Sequence, residues 1–131
     1  MRYLVETDWA VYYLRGHQGI VDKIKSYRPS GLAISIITLA ELQAGVHYGN
    51  DPARAKEGLD NFLSTVKALP ITEDICEHYG REYARLRQLD QLIGEFDLLI
   101  AVTGLHYNLI LLTNNEDHFK RVPGLKVESF Q

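Results

Sequence analysis

Short apolar runs alternate with longer segments of mixed polarity along this chain. Five of the runs are brief and rich in branched apolar side chains, which is typical of buried strands. They cover residues 2–5, 32–36, 66–69, 109–112 and 125–128. The segments between them have helical spacing and predict helices at about 7–16, 18–27, 38–48, 52–65, 72–91, 96–107 and 115–119. This alternation predicts an α/β fold with a mostly parallel sheet of about five strands, flanked by helices.

Local signals place the starts of several helices. Thr7 or Asp8 is expected to be the N-cap of the first helix. Thr38 and Glu41 have the Thr-x-x-Glu spacing of a capping box, which predicts a helix that begins at Thr38. Pro52 suits the first turn of the next helix.

Length and composition indicate one compact domain over residues 1–131. The chain has 131 residues, of which 46% are hydrophobic, so it can bury a core of its own. Cys76 is the only cysteine, which excludes an intrachain disulfide and fits a reducing compartment. The apolar runs are far shorter than the ~18 residues that span a bilayer. We therefore expect a cytoplasmic protein without membrane contact.

Four acidic or amide side chains lie where apolar runs end. Glu6 follows the first run, Asn115 follows the fourth, and Asp97 begins a helix after Gly94. Glu41 lies one helical turn beyond the second run. Strand ends of a parallel sheet meet at one edge, where such folds bind their ligands. Clustered carboxylates either take up a proton or bind a cation, and a hard divalent ion with oxygen ligands is the simpler solution.

Each of these residues also has a structural explanation. Glu41 can be the acid of the capping box, and Asp97 can stabilise a helix through the macrodipole. Glu6 is harder to explain in this way because it directly follows a buried strand. Thr7 and Ser35 can hydrogen-bond a carboxylate or phosphate, or only cap helices.

Charge and the remaining motifs narrow the chemistry. The net charge is −3, which counts against a bulk polyanion binder, although two divalent ions would bring it to about +1. Lys120 and Arg121 then become candidates for contact with a phosphate backbone. The five histidines have no zinc-ligand spacing, and the chain has no P-loop motif.

Taken together, four segments resemble a PIN domain, and specifically a VapC-type toxin of a bacterial toxin–antitoxin pair. The resemblance covers essentially the whole chain in the family's order. Its segments are Tyr3-Leu4-Val5-Glu6-Thr7-Asp8, Ser35-x-x-Thr38-x-x-Glu41-Leu42, Gly94-Glu95-Phe96-Asp97-Leu98-Leu99-Ile100-Ala101, and Leu112-Thr113-Asn114-Asn115 with Phe119 and Val122-Pro123-Gly124-Leu125.

The resemblance implies a PIN-like three-layer sandwich and a Mg²⁺- or Mn²⁺-dependent ribonuclease. The family's catalytic, metal-binding positions fall on Glu6, Glu41 and Asp97, with Asn115 or Asp117 as a variable fourth. Thr113 resembles the hydroxyl that orients the first carboxylate. Glu95 and Asp117 are supporting candidates for the second metal or the water shell, and Asp8 either supports the metal site or only caps the helix.

The family normally has Asp where this chain has Glu6. The longer side chain shifts the carboxylate, and a misplacement of ~1 Å can cost on the order of 10²-fold in rate. Either neighbouring groups have adapted, or the chain is a weakened form.

The resemblance also implies three macromolecular partners. They are an RNA substrate, a cognate VapB-type antitoxin whose tail covers the acidic pocket, and a second copy of the chain in a homodimer. Tyr48 and Phe62 are candidates for the dimer face.

Two functions from different classes remain open. One is a metal-dependent endoribonuclease toxin. The other is a catalytically silent PIN scaffold that serves as a subunit of a DNA-binding repressor complex. Because this chain is acidic and has no helix-turn-helix signal, the antitoxin would make the DNA contact. A phosphatase or receiver domain with an acceptor acid after the first strand is disfavoured, since that acid would be Asp and position 6 is Glu.

Overall fold

A five-stranded parallel sheet forms the centre of the molecule, as predicted. The computed structural model describes residues 1–130. The strands are β1 (Tyr3–Val5), β2 (Leu32–Ser35), β3 (Lys67–Leu69), β4 (Ile110–Leu112) and β5 (Lys126–Glu128). The helices are α1 (Thr7–Leu14), α2 (Gln18–Tyr27), α3 (Ile36–Tyr48), α4 (Pro52–Leu63), α5 (Glu73–Gln88), α6 (Glu95–His106) and α7 (Glu116–Phe119), with a 3₁₀ turn at Arg28–Ser30.

The strand order β3-β2-β1-β4-β5 places β1 in the middle of the sheet. Leu4 of β1 is in register with Ala33 on one side and with Leu111 on the other. The chain first builds outwards from β1 through β2 and β3, and then returns to the opposite side with β4. A crevice forms at such a switch point, outside the carboxyl ends of the strands.

Alternation along the strands builds a core on each face of the sheet. Leu4 faces a core shared with α5 and α6, which contains Ile75, Leu86 and Leu98. Its neighbours Tyr3 and Val5 face a core shared with the first four helices, which contains Trp9, Ile20, Ile24, Leu42, Leu59 and Phe62. Successive strand residues point to opposite faces, so the result is the expected three-layer sandwich.

Helix α3 begins two residues earlier than predicted, and the capping box is not formed. Ser35 is the N-cap, and its hydroxyl accepts from the backbone N–H of Ile37 at 3.1 Å. Thr38 is consequently inside the helix and fully buried. Glu41 lies in the second helical turn, where it is free to contact another element.

Three other predictions are wrong in detail. The N-cap of α1 is Glu6 rather than Thr7 or Asp8. Helix α5 ends at Gln88 rather than near residue 91, and Asp90 adopts a left-handed φ of 55° just beyond it. Phe62 is only 1% exposed, so it belongs to the core and not to a dimer face. No helix within residues 1–130 is long and apolar enough to cross a membrane.

Candidate functional site

The polar side chains singled out above gather at the carboxyl edge of the sheet in three hydrogen-bonded groups. Glu6 follows β1, Thr113 follows β4, and Asp97 lies in the first turn of α6. Glu41 comes from α3, which follows β2 directly. The edge therefore collects residues that are more than 100 positions apart in sequence.

The first group surrounds the buried carboxyl of Glu6. Its Oε2 accepts from the backbone N–H of Asp8 at 3.2 Å and lies 3.0 Å from the Thr113 hydroxyl. The Asp8 carboxylate is held by other partners. Its Oδ2 accepts from the backbone N–H of Asn114 at 2.9 Å, and its Oδ1 accepts from the backbone N–H of Trp9. Asp8 therefore joins α1 to the segment after β4.

The surroundings of Glu6 favour the neutral form of its carboxyl. Burial, a side-chain hydrogen bond with Asp8 and that residue's negative charge, in this order of size, together raise the pKa of its carboxyl to about 9. The backbone N–H of Asp8 and the Thr113 hydroxyl act in the opposite direction, but they are smaller effects. The carboxyl is only 5% exposed, which explains why loss of solvation dominates.

The second group holds Glu41 through a short relay of hydroxyls. The Thr7 hydroxyl lies 2.7 Å from Glu41 Oε1 and 3.0 Å from the Thr38 hydroxyl. A hydroxyl carries one proton, and a carboxylate oxygen can only accept. Thr7 therefore donates to Glu41, and the buried Thr38 hydroxyl donates to Thr7. This relay fixes one oxygen of Glu41, a half-buried residue.

The third group joins Asp97 to α7. Nδ1 of His118 lies 3.0 Å from Asp97 Oδ2 and 2.9 Å from the side-chain amide of Asn115. The backbone N–H of Asn115 donates to the Thr113 hydroxyl at 3.0 Å. Thr113 thus connects this group to the Glu6 group.

These groups do not form a ready-made cage of carboxylates. Within residues 1–130, no three His, Cys, Asp or Glu side chains are arranged closely enough to hold a metal ion. The Glu6 carboxyl is engaged by the backbone N–H of Asp8 and by Thr113. The oxygen donors of Asp97, Glu41 and Asn115 nevertheless suit a hard divalent cation, and one carboxylate oxygen of each acid is already held by a neighbour.

The other predicted residues lie around this edge in different settings. Glu95 is exposed at the start of α6. Burial raises the pKa of the Tyr79 hydroxyl, and the negative charge of Glu95 acts in the same direction. Asp117 is exposed and pairs with Lys120 at 3.3 Å. The Arg121 guanidinium donates to the backbone carbonyl of Leu92 at 3.2 Å, and so it braces the loop before α6.

Sequence reasoning did not assign a role to His118 or to Thr38. The histidines were considered only as zinc ligands, and Thr38 only as a cap. His118 lies three residues after Asn115, which puts the two side chains on one face of a short helix. That spacing was the available signal for His118, and Thr38 had none beyond its burial.

A comparison with known families identifies the class of this protein. The PIN domain family model matches residues 3–125. The chain belongs to the PIN-domain family.

The relatives and solved structures that this chain resembles include VapC proteins and VapBC complexes. Ribonuclease VapC2 of Rickettsia felis is 33% identical, with 99% of this chain and 98% of the relative covered. The tRNA(fMet)-specific endonuclease VapC of Shigella flexneri is 26% identical over the same shares. The crystal structure of VapBC2 from Rickettsia felis bound to a promoter DNA fragment superposes with a TM-score of 0.93 over 100% of both chains. DNA-bound VapBC from Salmonella typhimurium has a TM-score of 0.92, 25% identity and 98% coverage of both chains.

Proposed function

We propose that this chain is the endoribonuclease toxin of a VapBC-type toxin–antitoxin pair and that its activity depends on Mg²⁺ or Mn²⁺. The observation that carries the proposal is the 33% identity to a VapC ribonuclease over 99% of the chain. The convergence of Glu6, Glu41, Asp97 and Asn115 on one sheet edge supports it, because that edge is where parallel α/β folds bind ligands.

The metal would be held by oxygen donors. Asp97 and Glu41 supply carboxylates, and Asn115 supplies an amide oxygen. Glu6 joins them only when it gives up its proton, which a nearby divalent charge favours. When bound, the ion supplies positive charge for the phosphate and a water that is acidic near neutral pH.

The remaining residues prepare the edge for RNA. Thr7 and Thr113 hold carboxyl groups in fixed orientations, and Lys120 is exposed beside α7 to meet a phosphate. Arg121 is the weaker candidate for phosphate contact because the backbone of the preceding loop already engages its guanidinium. The metal charge offsets the chain's formal charge of −3, which otherwise repels RNA.

A VapB-type antitoxin is the proposed protein partner. A groove of about 480 Å³ runs beside Glu41 between α1, α3 and α4, and its lining includes Val11, Leu14, Val46 and Ala55. The same lining carries Glu41, Asp51, Arg15 and Arg54, so the groove combines apolar surface with charges of both signs. Such a groove suits an amphipathic segment of a partner protein. DNA would be reached only through the antitoxin, as the DNA-bound VapBC neighbours suggest.

A homodimer is the proposed assembly. Leu89, Leu92 and Phe96, which lie between the end of α5 and the first turn of α6, are 55%, 41% and 53% exposed. Large apolar side chains exposed together on a small domain are typical of a contact surface.

The first experiment combines Mn²⁺ calorimetry with cleavage of a folded tRNA by the purified protein. We expect the wild type to bind Mn²⁺ and to cleave only with metal present, and Asp97→Asn to lose both. Asp22→Asn, an exposed substitution on α2, is the matched control and should behave as the wild type. Absence of metal-dependent cleavage in the wild type would contradict the proposal.

A catalytically silent scaffold is the second candidate function. The observation in its favour is the burial of Glu6, which raises the pKa of its carboxyl and so leaves fewer carboxylates ready for a cation. In that case the chain would bind antitoxin and DNA-bound complexes would form, while the wild type would not cleave RNA even with metal present.

A further inference from the structure

His118 contacts two of the proposed metal ligands through one nitrogen atom. Its Nδ1 lies 3.0 Å from Oδ2 of Asp97 and 2.9 Å from the amide Nδ2 of Asn115. The first distance is that of a hydrogen bond between an imidazole and a carboxyl group. The question is what the imidazole does for these two residues.

The position of the ring proton follows from the acceptor. A carboxylate oxygen can only accept a hydrogen bond, so the bond to Asp97 requires the proton to be on Nδ1. A protonated Nδ1 has no free lone pair, so the Asn115 amide must meet it with oxygen. A half-turn of the amide about its terminal bond exchanges Nδ2 and Oδ1 without moving any other atom. One N–H of His118 then aligns an oxygen from each ligand.

His118 is well placed to act as a rigid donor. It lies on α7, whose start is tied to Thr113 through the backbone N–H of Asn115 at 3.0 Å. The next residue, Phe119, is fully buried and fixes the other end. The side chain of Asp97 is 24% exposed and that of His118 is 43% exposed, so a cation can still approach the carboxylate.

From this geometry we infer that His118 is a positioning residue, which donates from Nδ1 to Asp97 Oδ2 and turns the other carboxylate oxygen towards the metal. This inference rests on the proposed function. Hydrogen-bonding partners of metal ligands fix ligand orientation, and their loss typically lowers metal affinity about 10–100-fold.

Three substitutions at His118 test the inference by Mn²⁺ and Mg²⁺ calorimetry. In His118→Asn, the side-chain amide N–H is the same number of bonds from the backbone as Nδ1 of histidine. In His118→Gln, the amide N–H is one bond further away, and His118→Ala has no donor. We expect the Kd for both ions to rise about 10–100-fold in the Gln and Ala variants and only a few-fold in the Asn variant. His106→Asn, at the far end of α6, is the matched control and should bind as the wild type.

Nitrogen NMR of the metal-free protein supplies an independent readout. We expect the His118 proton on Nδ1, and its presence on Nε2 alone would overturn the inference. Thermal unfolding of each variant checks that the fold is retained.

The outcomes separate this inference from the proposed function. Normal binding by the wild type with unchanged affinity in all three His118 variants would overturn the positioning role alone. All three His118 variants could instead lose affinity for Mn²⁺ and keep their affinity for Mg²⁺. That result would show that the imidazole is itself a metal ligand and would overturn the positioning role. No binding by the wild type would overturn the proposed function and this inference with it.

Discussion

The Thr113 hydroxyl lies 3.0 Å from Oε2 of Glu6, although the two residues are 107 positions apart in sequence. The contact joins the ends of β4 and β1, the two strands on either side of the switch point. The same hydroxyl also accepts from the backbone N–H of Asn115. One side chain directly after β4 therefore organises both the first acid and the start of α7.

Replacing Thr113 with Val should destabilise the fold. The substitution keeps the shape of the side chain but removes the hydroxyl, which leaves a buried carboxyl and an amide N–H without this partner. We expect the free energy of unfolding to fall by about 1–3 kcal/mol in urea denaturation. Thr113→Ser retains the hydroxyl and should lose much less; an equal loss in both variants would assign the effect to packing.

The Thr7 hydroxyl should matter for metal affinity because it fixes one oxygen of Glu41. Thr7→Val removes the donor to Glu41 and the acceptor for Thr38, while Thr7→Ser preserves both. We expect Thr7→Val to weaken Mn²⁺ binding about 10-fold or more in calorimetry and Thr7→Ser to bind nearly as the wild type. Equal binding by Thr7→Val and the wild type would argue against Glu41 as a ligand that needs this support.

Shortening Glu6 to Asp should raise both metal affinity and RNA cleavage. The family's usual residue at this position is Asp, and a displacement of ~1 Å can change rate on the order of 10²-fold. Asp is also a good N-cap, so α1 should keep its start. We expect cleavage to increase about 10-fold or more in a side-by-side assay. No change, or a decrease, would mean that the surroundings are adapted to the longer side chain.

Ionisation of Glu6 should make the free energy of unfolding depend on pH. The pKa of its carboxyl is about 9 in the folded protein and lies above the ordinary value of 4.5, so the folded protein binds this proton more tightly than the unfolded chain does. The resulting stabilisation is fully present below pH 4.5 and is lost as the pH rises towards 9. Glu6→Gln cannot ionise and should lack this component.

Urea denaturation with a chelator, from pH 5 to pH 9, measures the difference. We expect the free energy of unfolding of the wild type to fall relative to that of Glu6→Gln, with a slope of up to about 1.4 kcal/mol per pH unit. Parallel curves for the two proteins would show that Glu6 titrates normally. Added Mn²⁺ should flatten the wild-type curve if Glu6 becomes a ligand.

Much of the fold follows from local sequence patterns. The run Leu32–Ser35 is short and mostly apolar, which predicts a buried strand. The segment Glu73–Gln88 is long and has apolar residues at helical spacing, which predicts a helix. Neither prediction needs the rest of the chain. The alternation of such segments then limits the topology to a parallel sheet with helices on both faces. Helix ends were less predictable: Thr38 has the right spacing for a capping box, yet burial of its side chain and the cap at Ser35 decide otherwise.

By itself, the sequence determined the fold class and the set of polar residues at the strand ends. Hydrophobic periodicity and the succession of strands and helices along the chain are properties of the sequence. Only the tertiary structure decided how those residues are used. It placed Glu6 against Thr113, buried its carboxyl so that the pKa is raised, placed Thr7 against Glu41, and brought His118 to Asp97. Protonation and orientation depend on burial and on neighbours more than 20 positions away, and no local pattern encodes those neighbours.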